Sequence, residues 1–340
     1  MEKAWRVAKQ FGIPRAYGSF EEALADPEVE AIYNPLPNHL HVPWSIRAAE
    51  AGKHILCEKP VAMGVDECRK LIAARERTGL KIGEAFMARS HRQWLRAREL
   101  ARSGEIGDLW AVMVAFSYFN CDPANIRHVP EFGGGAVMEF GCYLIQISRF
   151  LFSEEPVNVV ARLERDPEFH TDRLVSAVLD FPSGHAVFTC ATQMVYHQRA
   201  QILGTKGRVE VEVEVSFNAL PDRKTHLVID SSTDLYGGGL WVEGIRACHQ
   251  YGIQGDLFSR GPRHDRGADA ARGFDPEHGR HRGRVEIGTD RTRRHADLVE
   301  TVITTLPTKS PLARQAYASA ASSKGNTLST IGLIWLTAMA

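Results

Sequence analysis

Long apolar runs, paired cysteines and net charge are all missing from this sequence of 340 residues. No stretch reaches the roughly 18 apolar residues of a membrane-spanning helix, so no membrane partner is expected. The opening MEKAWRVAKQ has no apolar core of the signal-peptide kind, and a cytoplasmic protein is expected. The six cysteines (Cys57, Cys68, Cys121, Cys142, Cys190 and Cys248) include no C-x-x-C pair, which argues against both a disulfide frame and a zinc site. Lys+Arg and Asp+Glu both number 41, and this balance disfavours nucleic acid as the main partner.

What is present is an ordinary globular composition, 44% hydrophobic, on a chain long enough for two domains. The neutrality is a sum of unlike parts. Residues 1–259 carry 28 Lys+Arg against 33 Asp+Glu, whereas 260–295 carry ten Arg against six acids. That basic stretch has only Val285 and Ile287 as aliphatics, too few to build a buried face.

The first hundred residues alternate between helical and strand patterns with short connections. Helices are expected over 1–11, 20–25, 42–51 and 65–78, and strands over 31–33, 54–57 and 81–86. Ser19 with Glu22 three residues on reads as a capping box. This is the pattern of a parallel sheet covered by helices. After about residue 108, β-prone runs at 109–118, 157–164, 174–181, 186–192, 199–203 and 208–215 predict a largely antiparallel sheet with one solvated face. Between its first strands, 138–152 reads as a buried helix.

In open parallel sheets, ligands bind beyond the carboxyl ends of the strands. NPLPNH (34–39) and Glu58-Lys59-Pro60 fall there. From spacing alone, Lys59 reads equally as a crevice lysine that biases a neighbouring proton or as an exposed lysine after a strand. Glu139 and Tyr143, at i and i+4, share a helix face, and from the residues alone a core aromatic is the favoured reading of Tyr143. Gly133-Gly134-Gly135 permits a tight turn or a close backbone approach. His39 and His41 lie two apart without a third ligand at metal spacing, so no metal is expected.

NPLPNHLH, AAEAGKHILCEKPVA and GGGAVMEFGCYLIQISRFL together resemble the Gfo/Idh/MocA oxidoreductase family, in its glucose–fructose oxidoreductase and D-xylose dehydrogenase-like branch. The resemblance implies an α/β plus α+β architecture: an incomplete Rossmann-type parallel sheet domain over 1–107, then an open, largely antiparallel sheet domain over 108–260. It implies NAD or NADP as cofactor, a sugar or polyol as substrate, and a homo-oligomer formed through the β-sheet face. Tyr143 would be the acid/base at the reacting carbinol, with Lys59 lowering its pKa. Glu139, where the family usually has Asp, would place the substrate. Asn34, Pro35, Asn38, His39, Glu58, Lys59 and Arg89 would contact the cofactor, and Asp122 and Arg127 the sugar.

The sequence also departs from the family pattern. No G-x-G-x-x-[GA] turn occurs in it, and by analogy with the family roughly 35–40 residues holding the first two strands are absent. Such a loss of two central strands would expose apolar sheet edges. A second reading follows: a catalytically inactive fragment that keeps the β-domain as an oligomerisation or binding module. At the far end the resemblance stops near Arg260. Read one nucleotide later, the codons allowed by 267–283 permit a family-like helix, so residues 261–340 are expected to be translated out of frame. The competing reading is a disordered arm for an anionic partner.

Overall fold

The structure is a computed structural model, and it describes residues 2–211, 216–232 and 238–260, together with two short strands at 286–287 and 333–335. The chain opens with α1 (Glu2–Phe11) and α2 (Phe20–Ala25), whose N-cap Ser19 accepts from the Glu22 N–H while the Glu22 carboxylate accepts from the Gly18 N–H. Next come β1 (Ala31–Asn34), α3 (His41–Glu50), β2 (His54–Glu58), α4 (Val65–Thr78), β3 (Ile82–Ala85) and α5 (Arg92–Arg102). β1, β2 and β3 run parallel in that order, with Ala31 beside His54 and Ile55 beside Ile82. All four residues of β1 are buried, as expected of a strand covered on both faces.

The second sheet is built from β4 (Leu109–Phe119), β5 (Asn158–Arg165), β6 (Asp172–Phe181), β7 (Gly184–Ala191), β8 (Gln193–Gly204), β9 (Arg208–Val211), β10 (Thr225–Asp230) and β11 (Leu240–Ile245). Its order is β11-β10-β9-β8-β4-β7-β6-β5, antiparallel except for the β4–β7 pair. α6 (Cys142–Phe152) lies on its inner face, and its side chains share one core with Val112, Val114 and Phe116 of β4. Helix α7 (Gln250–Arg260) returns to the first sheet, where Phe258 packs on Tyr33, Leu56 and Ala85 and Lys81 Nζ donates to the Phe258 and Ser259 carbonyls.

Three details differ from the sequence reading. Where exposed sheet edges were expected, β1 is paired: β13 (Leu333–Trp335) runs parallel to it, Ala31 beside Leu333 and Tyr33 beside Trp335. A second short strand, β12 (Glu286–Ile287), pairs parallel with β5. The helix expected over 138–152 begins instead as a π-helical turn, Val137–Gly141, before α6. The remaining part of the 208–215 strand, the reading of 261–340 as out of frame and the reading of it as a disordered arm lie outside the described residues.

Candidate functional site

The carboxyl ends of β1 and β2 meet the start of α6, and the segments found there are joined by side-chain bonds that spend most of their polar atoms. Asn34 Nδ2 donates to the His41 carbonyl and to Ser45 Oγ, both at 3.1 Å, and its Oδ1 accepts from the Leu36 N–H. Asn34 therefore shapes the turn through Pro35 into a single 3-10 turn at Asn38–Leu40. His41, fully buried, places Nδ1 at 2.8 Å from the Pro60 carbonyl and so ties α3 to the Glu58-Lys59-Pro60 segment. Glu58 accepts the Tyr33 hydroxyl and the Lys59 N–H.

Lys59 is 0% exposed, which removes the exposed-lysine reading. Its Nζ donates to the Glu139 carbonyl at 3.2 Å and stands 4.4 Å over the centroid of the Tyr143 ring. Burial draws the ammonium's pKa below its ordinary value, opposed by Cys142, Glu139 and Glu58 nearby. A buried charge of this kind is tolerated where π electrons and a carbonyl replace lost water.

Glu139 sits on the π-helical turn, a feature that recurs where helices carry functional groups. Its carboxylate is buried; Oε1 pairs with Arg127 Nε at 2.9 Å, and Oε2 has no protein partner among the described residues. Burial raises its pKa, against the pull of Arg127 and Lys59. The turn is held by Asp172, whose Oδ2 accepts the Val137 N–H at 2.7 Å.

The three glycines now have a physical reason. A Cβ on Gly134 would collide with the Arg127 carbonyl, and one on Gly135, at φ +123°, with Asp172 Oδ1. Gly134 and Gly135 donate their N–H groups to the carbonyls of Val129 and Arg127. The close approach they permit is to this chain's own loop, and it delivers Arg127 to Glu139.

Tyr143 is 1% exposed, packed among Phe86, Phe116 and Phe217, and its hydroxyl donates to Met87 Sδ at 3.5 Å. Burial pushes its pKa well above the ordinary value, the opposite direction from the lowering expected of Lys59. Burial is the chief cause, joined by Tyr251, Glu58, Cys142 and Glu139 nearby, and Lys59 stands over the ring.

The other expected site residues separate. Asn38 Nδ2 donates to the Gly133 carbonyl at 2.9 Å, and His39 stacks on Phe132 at 4.4 Å, so the NPLPNH turn docks on the 126–135 loop. Arg89 stands 5.5 Å over Phe150. Asp122 lies in an exposed turn and accepts from the Ala124 N–H. Residues absent from the expected site are Met87, beneath the tyrosine, and Tyr118. Tyr118 continues the inward alternation Val112, Val114, Phe116, a signal available in the sequence.

A nicotinamide dinucleotide fits this edge at its nicotinamide end. Buried polar atoms without protein partners, His39 Nδ1 and Glu139 Oε2, flank the Lys59 segment at the sheet's carboxyl edge. No cluster able to hold a metal and no helix long and apolar enough to cross a membrane occurs among the described residues.

Residues 1–86 match the oxidoreductase family with an NAD-binding Rossmann fold, and 94–210 match the GFO/IDH/MocA C-terminal domain. An uncharacterized oxidoreductase of Rhizobium meliloti is 44% identical over 260 residues, 76% of this chain and 77% of that protein. D-xylose 1-dehydrogenase (NADP(+)) 2 of Haloferax volcanii is 42% identical over 54% of this chain and 56% of its own length. The aldose-aldose oxidoreductase of Caulobacter crescentus has the same fold, with a TM-score of 0.68 and 29% identity across 76% of this chain and 77% of that one. The cofactor class of the matched Rossmann domain is NAD(P), and an oxidoreductase is favoured over an inactive binding module. Two domain matches in tandem, with an oxidoreductase relative aligned over three quarters of both chains, place this protein in the Gfo/Idh/MocA family of oxidoreductases.

Proposed function

We propose that this chain catalyses NAD(P)-dependent hydride transfer at the carbinol or carbonyl carbon of a sugar or polyol, with Tyr143 as acid/base and Lys59 as its charged partner. The observation that carries this reading is the convergence of Lys59, Glu139 and Tyr143, from β2 and the start of α6, in one buried cluster. Such a cluster is costly to bury and serves no packing purpose that apolar residues would not serve better.

When bound, the nicotinamide supplies the hydride acceptor or donor. His39 and the 34–36 backbone would hold its nicotinamide half. Lys59 keeps a positive charge beside the proton-transfer group, Tyr143 moves the carbinol proton at its hydroxyl, and Glu139 orients the substrate. The division at 107/108 into a cofactor-side and a substrate-side domain fits this assignment. Substrate-side roles fall to the second sheet, whose outer face exposes Met113, Val187 and Val195 and would join copies of the chain in a cytoplasmic homo-oligomer.

The test is reduction of NAD and NADP with a panel of aldoses and polyols, D-xylose first, followed by reduced-nicotinamide absorbance. Turnover with at least one aldose, lowered about 10²- to 10⁴-fold in Tyr143→Phe, is the expected outcome. Unchanged turnover in that variant would remove the tyrosine from the chemistry.

A further inference from the structure

The inner face of β4 ends in a tyrosine whose hydroxyl has nothing to bind. The Tyr118 oxygen is buried and without a protein partner among the described residues, as is Glu139 Oε2. The two belong to one neighbourhood: the Arg127 guanidinium lies 5.9 Å from the Tyr118 ring centroid and pairs with Glu139 Oε1, and the Tyr118 ring meets Phe140 at 5.0 Å. Unsatisfied buried oxygens cost stability unless a ligand completes them.

The backbone shows how Tyr118 arrives there. β4 pairs with β8 in unbroken register from Ala111 to Ser117, opposite His197, then shifts, so that Phe119 faces Gln193. Tyr118 occupies that irregularity, a place where a strand can re-aim a side chain. The ring continues the apolar face made by Val112, Val114 and Phe116 and lies 5.9 Å from the Arg127 guanidinium.

We propose that the Tyr118 hydroxyl and the unspent Glu139 oxygen form a recognition pair for neighbouring hydroxyls of a neutral polyhydroxylated substrate, with Arg127 a positioning residue acting through Glu139. The inference rests on the proposed hydride transfer at a sugar carbinol and deepens it by naming what selects the substrate. One partner accepts only and the other both donates and accepts, a set that suits two alcohols. A substrate carboxylate or phosphate at this pair would face the buried Glu139 carboxylate at close range. Arg127 also accounts for Glu in place of the family's usual Asp. The longer side chain still reaches a fixed location, because the ion pair anchors it.

Calorimetric titration of the full chain with D-xylose, its monodeoxy analogues and D-xylonate tests the pair without requiring turnover. Tyr118→Phe should weaken D-xylose roughly five- to tenfold, in line with one lost hydrogen bond. For one monodeoxy analogue, wild type and variant should bind alike. Thermal stability should be unchanged or higher, since the substitution removes only an unpaired oxygen. Arg127→Gln should weaken D-xylose and Arg127→Lys should restore most of the affinity; where turnover is measured, KM should carry the change and kcat should stay within about threefold. Equal D-xylose affinity in wild type and Tyr118→Phe would overturn the proposal, as would tighter binding of D-xylonate than D-xylose or no binding of any neutral sugar. A protein that binds D-xylose through Tyr118 but reduces no cofactor would sink the catalytic reading and leave the recognition pair standing.

Discussion

The ammonium of Lys59 lies 4.4 Å over the ring of Tyr143, while the hydroxyl of that tyrosine points to the sulfur of Met87 at 3.5 Å. The charge thus bears on the aromatic face, and its hydrogen bond goes to the Glu139 carbonyl. Lys59→Met keeps the length of the side chain and removes the charge. Turnover should fall about 10²- to 10⁴-fold. Stability should hold or rise, because a desolvated charge is replaced by an apolar group of similar volume. Opposite movement of activity and melting temperature is the signature to measure; parallel losses would mark Lys59 as a structural residue.

Burial lowers the Lys59 pKa, so its charged form disappears at a lower pH than for a free lysine. If the ammonium is required, kcat/KM falls on the alkaline side, with a midpoint below the ordinary lysine value of about 10.4. Arginine stays charged across that range. Residual activity of Lys59→Arg should therefore lack this limb. The same alkaline midpoint in both proteins would assign it to another group.

Gly135 combines φ +123° with a neighbour, Asp172, that a Cβ would strike. Gly135→Ala should cost at least about 2 kcal/mol in urea unfolding, more than a permissive turn glycine would. Gly12 and Gly52 also have positive φ but meet nothing within 4 Å, so alanine there tests the backbone cost alone. A loss at Gly135 no larger than at those sites would mean that the Asp172 contact yields freely.

Much of this arrangement was legible in the sequence, and the parts that were not have a common cause. Alternating strands and helices through Ala85 follow from local periodicity, and Ser19 with Glu22 announces α2 by cap chemistry alone. The inward placement of Tyr118 follows from the period of a strand. The π-helical turn does not, because it depends on Asp172, which reaches Val137 from 35 positions further along the chain. Lys59 could be placed at a strand end but not judged buried, since its cover comes from the π-helical turn and α6. Arg127 reads from the resemblance as a sugar contact; only the folding of the glycine loop turns it toward Glu139. The pairing of β1 with residues 333–335 joins segments some 300 positions apart, beyond any local pattern.

Asp172 offers a further test, of stability and not of turnover. Partial burial raises its carboxyl pKa from 3.8 to about 6, against the N–H groups of Val137 and Ala136, which favour the charged form. Between about pH 4 and 6 the folded protein therefore holds a proton that the unfolded chain has released. Stability from this group is present below pH 4 and is lost as pH rises through 6, the reverse of a salt-bridged carboxylate. The full effect is at most about 3 kcal/mol, less where water reaches the side chain. Asp172→Asn keeps an oxygen for the Val137 N–H and cannot ionise. Relative to wild type, it should gain stability between pH 4.5 and pH 7 in urea unfolding. A constant difference across that range would show that the Asp172 pKa is the same in both states.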